Sequence, residues 1–368
     1  MRGLYIHVPF CISKCAYCDF YSLADRSDLI DSYVGAVLDE ARAYSGLSFD
    51  TLYLGGGTPS LLGAEGLKKL LHGLRQAFDL SGMIEATIEV NPESANVDLL
   101  QAAVDSGLNR VSVGVQSLVD GELQRVGRIH NAAEAIATVE RAGSFGFGGI
   151  SADVIVGLPG QRWPMLHFTL MTLAALGVNH LSVYCLSLED GTRLAANPPH
   201  DLPSGDEQAE LFEEARCFLE GLGFLHYEIS NFALEGHECL HNLNYWRGGD
   251  YLGLGPAAAS HIEGKRFKNR SDLEAYLRHP AGLVDEVEEL GPRDKAAEEA
   301  MLRLRLLSEG LVADELVRRY GVDTTADLLR RFDDMVNEGL LTRDGSTYCL
   351  ARSRVLTSNP IFARVLGL

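Results

Sequence analysis

Six short β-rich runs alternate with longer amphipathic stretches between Leu4 and Leu186, and a chain patterned this way is confined to a parallel sheet with helices packed on it. The strand candidates are Leu4–Val8, Thr51–Leu54, Ile84–Val90, Arg110–Val115, Ile150–Val156 and His180–Cys185. Helical periodicity fills Leu29–Tyr44, Glu65–Phe78, Ala132–Ala142 and Trp163–Leu176 between them. A doubly wound sheet and a barrel both satisfy the pattern. The unusual residues fall at the C-terminal strand ends, where barrel sites are built.

Beyond residue 190 the pattern loosens. A helix at Asp206–Leu222 leads to a β-like run at Phe224–Ile229 and a Gly-rich segment from Gly248 to Gly264. From about Pro292 three helices (Lys295–Leu307, Ala313–Tyr320, Thr325–Glu338) precede Leu340–Thr342, a turn at Asp344-Gly345 and Thr347–Leu350, the outline of a winged-helix unit. Its charges are mixed, without a basic face, so it reads as a packing or partner domain rather than a DNA reader. The expected organisation is therefore 1–190, 191–290 and 291–368. A net charge of −19 argues against a nucleic-acid footprint and against docking to anionic lipid. No run approaches a membrane span, and the chain enters a strand at once with neither basic leader nor signal core, so the expected setting is the cytoplasm. Seven cysteines fit reduced thiols better than a disulfide framework.

Three of those cysteines, Cys11, Cys15 and Cys18, lie within eight residues, just past the first strand and its Pro9 break. Their spacing would put them on one face of a helix, but Ile12–Tyr17 has no helical apolar period. A structural zinc needs four ligands, and no second Cys-x-x-Cys follows. Three thiolates from one loop can hold three irons of a [4Fe-4S] cluster and leave the fourth iron open to chemistry.

Cys-x-x-x-Cys-x-x-Cys behind a first strand resembles the radical S-adenosylmethionine superfamily, in which the open iron binds the amino and carboxylate groups of that cofactor. Tyr5-Ile6-His7-Val8-Pro9-Phe10-Cys11, with Gly55-Gly56-Gly57-Thr58-Pro59-Ser60 downstream, is similar to one branch: the oxygen-independent coproporphyrinogen III oxidases and the HemW-type heme chaperones. The resemblance runs over nearly the whole chain. It implies a partial (β/α)6 barrel with the small, mainly helical winged-helix-like domain at its C-terminus.

Glycines after the second strand let peptide groups approach a ligand with no Cβ in the way, and the resemblance assigns Gly56, Gly57 and Thr58 to S-adenosylmethionine. Glu89 is an acid near the end of a buried strand, costly unless ribose hydroxyls or a salt bridge pair it. Gln116, Arg128 and Asp153 follow at or near later strand ends and, with Tyr5, Tyr17 and Cys185, are cofactor contacts on the same resemblance. Two departures separate the branches. The oxidases carry a further cysteine where this chain has Phe20, and an N-terminal arm, whereas here the first strand begins by Leu4.

The remaining motif is His241-Asn242-Leu243-Asn244-Tyr245-Trp246. A histidine with two aromatics four and five residues on offers an axial iron ligand and two flat apolar surfaces; a packing loop would read the same way, and Cys239 and His237 are rival ligands. H-N-x-x-Y-W matches the signature of the HemW-type chaperones. The resemblance thus implies a chaperone that binds heme through His241, Tyr245 and Trp246 and transfers it to client hemoproteins, carrying a [4Fe-4S] cluster and S-adenosylmethionine. The alternative is oxidative decarboxylation of coproporphyrinogen III. A homodimer stays open.

Overall fold

The structure, a computed structural model, describes residues 1–281 and 284–368. Strands β1 (Arg2–Val8), β2 (Thr51–Gly56), β3 (Glu85–Val90), β4 (Arg110–Gln116), β5 (Gly149–Val156) and β6 (His180–Cys185) lie side by side, all parallel and in chain order. That order decides between the two architectures the alternation allowed. A doubly wound sheet reverses at a switch point, whereas this one advances strand by strand in one direction, as a barrel does.

The barrel is partial. Beyond β6 come β7 (Leu225–His226) and β8 (Asn231–Ala233), with β8 antiparallel to β6. On the other edge β1 pairs in parallel with β9 (Asp250–Leu254), followed by antiparallel β10 (Ala259–Ile262), β11 (Lys265–Asn269) and β12 (Val284–Glu288). Much of the segment read as Gly-rich is thus sheet. Its glycines and alanines sit where strands and turns run close together, which masks the usual β-branched signature.

The crossover helices are α1 (Ile30–Ala43), α2 (Gly63–Ala77), α3 (Val97–Asp105), α4 (Ala132–Ser144) and α5 (Trp163–Ala175). In α2, Leu67, Leu70, Leu71 and Leu74 recur at helical spacing and are all buried, while Lys68 and Lys69 face water. The sequence reading passed over α3, only nine residues long; Asn96 starts it by accepting from the Leu99 N–H at 2.9 Å. Asn131 and Glu134 form a capping box at the start of α4. Outward-facing Val111, Val113 and Val115 of β4 are fully buried beneath these helices.

The inward face is different: Tyr53, Glu89, Ser112, Gln116 and Asp153 alternate with the apolar positions and point into the barrel. A polar interior in a sheet whose outer face is apolar marks a barrel built around a ligand rather than around its own side chains.

After the barrel come α6 (Gly205–Gly221) and the motif helix α7 (Leu240–Trp246). The C-terminal unit holds α8 (Pro292–Arg303), α9 (Ala313–Tyr320), α10 (Val322–Asn337) and a three-stranded sheet of Leu311–Val312, Thr347–Leu350 and Leu341–Asp344. A last helix, α11 (Ser358–Leu366), was not anticipated; it buries Ile361, Phe362 and Val365. One continuous hydrophobic cluster joins barrel residues such as Leu4 to Phe332 and Met335 of α10. Among the described residues no helix is long and apolar enough to cross a membrane.

Candidate functional site

The cysteine loop is held at its base and at its tip. Phe10–Cys11 pair in parallel with Leu23–Ala24, and the Leu23 N–H donates to the Pro9 carbonyl at 2.7 Å. At the tip the Ala16 N–H donates to the Val126 carbonyl at 2.9 Å, and the Leu194 N–H donates to the Ala16 carbonyl at 2.8 Å. A loop fixed by rigid neighbours can present its side chains in a set geometry.

Cys11, Cys15 and Cys18 are free thiols that open on a cavity of about 370 Å3 at the C-terminal mouth of the barrel. The Thr58 hydroxyl stands 3.5 Å from the Cys11 sulfur, and the Arg128 guanidinium 3.4 Å from that of Cys15. Burial pushes the Cys18 thiol up, and the Cys15 and Cys11 sulfurs add to that shift. Three sulfurs lining one cavity are the donor set an iron–sulfur cluster takes, whereas among the described residues no three such side chains stand together closely enough to hold a single metal ion.

Every cofactor residue expected from the sequence lines this cavity except Tyr5. Tyr5 lines a second cleft and is 3.1 Å from His7 Nδ1 through its hydroxyl. Gln116 ends β4 with φ +66°, a left-handed conformation unfavourable for a side chain with a Cβ and held only where the surroundings demand it. Arg128 is locked by Asn91 Oδ1 and the Gly114 carbonyl, both at 2.8 Å. Asn91 also donates to Thr58 Oγ1 at 3.0 Å, so one amide joins two of the expected contacts. The sequence reading passed over Asn91, although it stands directly after β3, where a site residue belongs.

The glycine run also answers a demand of the protein itself. A Cβ at Gly56 would lie 2.8 Å from the His7 ring, and one at Gly57 would lie 2.6 Å from the Phe10 carbonyl oxygen. The protein itself fills that space; the glycines let β2 and the cysteine loop close on each other. Gly57→Ala should therefore cost about 1–3 kcal/mol by overpacking against backbone that cannot give, read as a lower denaturation midpoint; an unchanged midpoint would show that the loop can yield.

Glu89 and Asp153 face the same cavity, and among the described residues neither has an ion pair. Glu89 accepts from the Tyr53 hydroxyl at 2.7 Å, and Asp153 from the Ser112 hydroxyl at 3.2 Å. Burial, then the charge of Asp153, pushes the Glu89 carboxyl up to about 8. Two buried carboxyls with no cation in direct contact suit a ligand bringing hydroxyl or ammonium donors. Because the unfolded chain releases the Glu89 proton at lower pH than the folded one, stability falls as pH rises from the ordinary carboxyl range towards 8. Glu89→Gln should remove roughly one proton's share of that slope, ~1.4 kcal/mol per pH unit. Denaturation across pH 5 to 8 checks it, and equal slopes in both proteins would refute it.

The histidine motif lies at the opposite, N-terminal mouth of the barrel. Helix α7 plugs it: the Leu240 and His241 N–H groups donate to the Glu85 carboxylate at 2.9 and 2.8 Å, and Arg110 stands 3.9 Å from the same carboxylate. His241 is 1% exposed. Its Nδ1 bonds Thr51 Oγ1 and its Nε2 the Tyr245 hydroxyl, both at 2.8 Å, while its ring stacks on Tyr53. Gly3 leaves room for that ring, since a Cβ there would lie 2.9 Å from it. The geometry thus departs from the expected axial ligand, because both ring nitrogens are engaged and water is excluded; in this conformation His241 secures the plug. The rival Cys239 is buried too, its thiol pushed up to about 12 by burial and by Glu85, to which it donates. Tyr245 and Trp246 border the second cleft.

Residues 5–173 match the model of the Radical SAM superfamily. The chain is 31% identical to the heme chaperone HemW of Lactococcus lactis, with 99% of this chain and 97% of that protein aligned. It is 36% identical to HemW of Haemophilus influenzae, over 98% and 96%, and 35% identical to HemW of Escherichia coli, over 92% and 91%. Among solved structures it is similar to the coproporphyrinogen III oxidase HemN from Escherichia coli, a radical SAM enzyme, with a TM-score of 0.87 and 24% identity over 99% of this chain and 89% of that one. That last likeness bears on the fold.

Proposed function

The chain belongs to the HemW family of heme chaperones in the radical S-adenosylmethionine superfamily, and we propose from this that it binds heme and hands it to client hemoproteins. The observation that carries the reading is identity above 30% along almost the full length of proteins so named, through barrel, motif helix and C-terminal unit alike. Its free cysteines and acidic composition suit a reducing, cytoplasmic setting.

Cys11, Cys15 and Cys18 would hold a [4Fe-4S] cluster, which supplies an open iron able to bind the amino and carboxylate groups of S-adenosylmethionine. On the family resemblance Gly56, Gly57 and Thr58 would hold its methionine end through their backbone groups and the Thr58 hydroxyl. Glu89 and Asp153 accept from hydroxyl or ammonium groups, Gln116 offers an amide, and Arg128 sets a positive charge beside the thiolates. Tyr17 and Cys185 would complete the cavity wall.

Phe20 favours the chaperone over the oxidase, since it is an exposed, inert phenyl where the oxidase branch has a cysteine. Purified anaerobically, the protein should take up heme and pass it to an apo-hemoprotein, and with cofactor and reductant supplied it should leave coproporphyrinogen III untouched. Turnover near ~1 per second, the low end of ordinary enzymes, would instead make it an oxidase.

A further inference from the structure

A second cleft, of about 910 Å3, opens on the other side of the cysteine loop. Its floor is the inward face of the sheet extension. Tyr251, His261 and Arg266 stand in one register row across β9, β10 and β11, with Ala259 and Lys268 in the next. Helices α8 and α9 close it from the C-terminal unit, and Phe20 and Tyr245 lie among its walls. Lys14, Asp19 and Phe20 border this cleft and the cysteine cavity alike, so an occupant lies one loop away from the cluster site.

Three properties define what fits. First, aromatic rings line the cleft, and Gly248, Gly249, Ala257, Ala259 and Gly264 stand among them with little or no side chain, which leaves a slot for a flat apolar body. Second, the cleft is cationic in a chain of net charge −19. Arg266 is neutralised by Glu298 at 2.6 Å and Arg319 by Glu299 at 2.8 Å, but Lys14 and Lys295 have no ion pair among the described residues, and Lys268 adds a further ammonium, against Asp19 as the one lining carboxylate left. That excess calls for a ligand with more than one negative charge.

Third, one histidine in the cleft has a nitrogen to give. His7 has none, with Nδ1 at 3.1 Å from the Tyr5 hydroxyl and Nε2 at 2.9 Å from the Tyr21 carbonyl. His261 has only a 3.5 Å contact from Nδ1 to the Gly249 carbonyl, longer than an ordinary N–H···O bond, and its Nε2 meets no protein partner among the described residues. An Nδ1–H turned towards a carbonyl leaves the Nε2 lone pair free for a metal.

We propose that heme docks in this cleft, with the His261 imidazole as axial ligand to its iron and Lys268 and Lys295 on its two propionates. The proposal rests on the heme-chaperone reading and adds a site to it, apart from the buried His241. Binding forms one nitrogen–iron bond in place of a water, with no redox change.

The test is a titration of the anaerobically purified full-length protein with ferric heme, followed at the Soret band. His261→Ala should shift the band and weaken binding about tenfold or more. His261→Gly should recover the wild-type band when imidazole is added, which separates a lost ligand from a lost fold. Replacing Lys268 and Lys295 together by Glu should weaken heme but not heme dimethyl ester, whose carboxylates are masked. A wild type that binds heme while His261→Ala binds it with the same spectrum and affinity overturns the site and spares the chaperone reading. So does loss of the band in His241→Ala with His261→Ala unaffected. A wild type that takes up no heme overturns both.

Discussion

Anaerobic reconstitution loads about four irons per chain, three of them on protein thiolates and one left open, and Cys11→Ser, Cys15→Ser and Cys18→Ser each lose the cluster. The three sulfurs share one cavity wall, and their loop is anchored by Leu23 at its base and by Val126 and Leu194 at its tip. Cys217 is exposed on α6 and Cys349 lies in the C-terminal sheet, so Cys217→Ser and Cys349→Ser keep a full complement of iron. Metal analysis with the visible absorption spectrum decides it. Zinc recovered in proportion to protein, or iron retained by a Ser variant of the loop, would remove the basis for the cluster.

The second large effect is expected at the plug. Glu85 and Arg110 are both buried, with side chains 7% and 5% exposed, and Glu85 also accepts the first two helix amides and the Cys239 thiol. Glu85→Ala strands a guanidinium in the barrel and leaves the α7 N-terminus without its acceptor. Breaking one side of a buried ion pair costs about 3–5 kcal/mol, and the orphaned amides add to it. Glu85→Gln keeps one acceptor oxygen and should fall between wild type and Glu85→Ala. Chemical denaturation of the three proteins reads the order; a loss below about 1 kcal/mol for Glu85→Ala, the scale of an exposed pair, would show that water reaches Arg110. Because His241 rides on the same helix, a heme defect in Glu85→Ala would report displaced architecture rather than a lost ligand.

The sequence by itself determined what depends on neighbours in the chain. Strand and helix periods, the Pro9 break and the cysteine spacing are local, and each of them stands in the structure near its expected place. A parallel sheet brings all its strand ends to one mouth, so the strand positions of Gly56, Glu89, Gln116 and Asp153 put them together, while their reading as cofactor contacts came from the family resemblance.

Tertiary structure decided what depends on partners far away in sequence. His241 meets Thr51 across 190 residues and Glu85 meets Leu240 across 155, so a motif that reads as a ligand locally becomes the plug of a barrel. The single direction of strand order, the clearance that Gly57 provides for Phe10, and the facing of β10 and β11 by α8 and α9 are likewise set by long-range packing. Periodicity says which face of an element is apolar; only the closed fold says what that face, or a buried imidazole, touches.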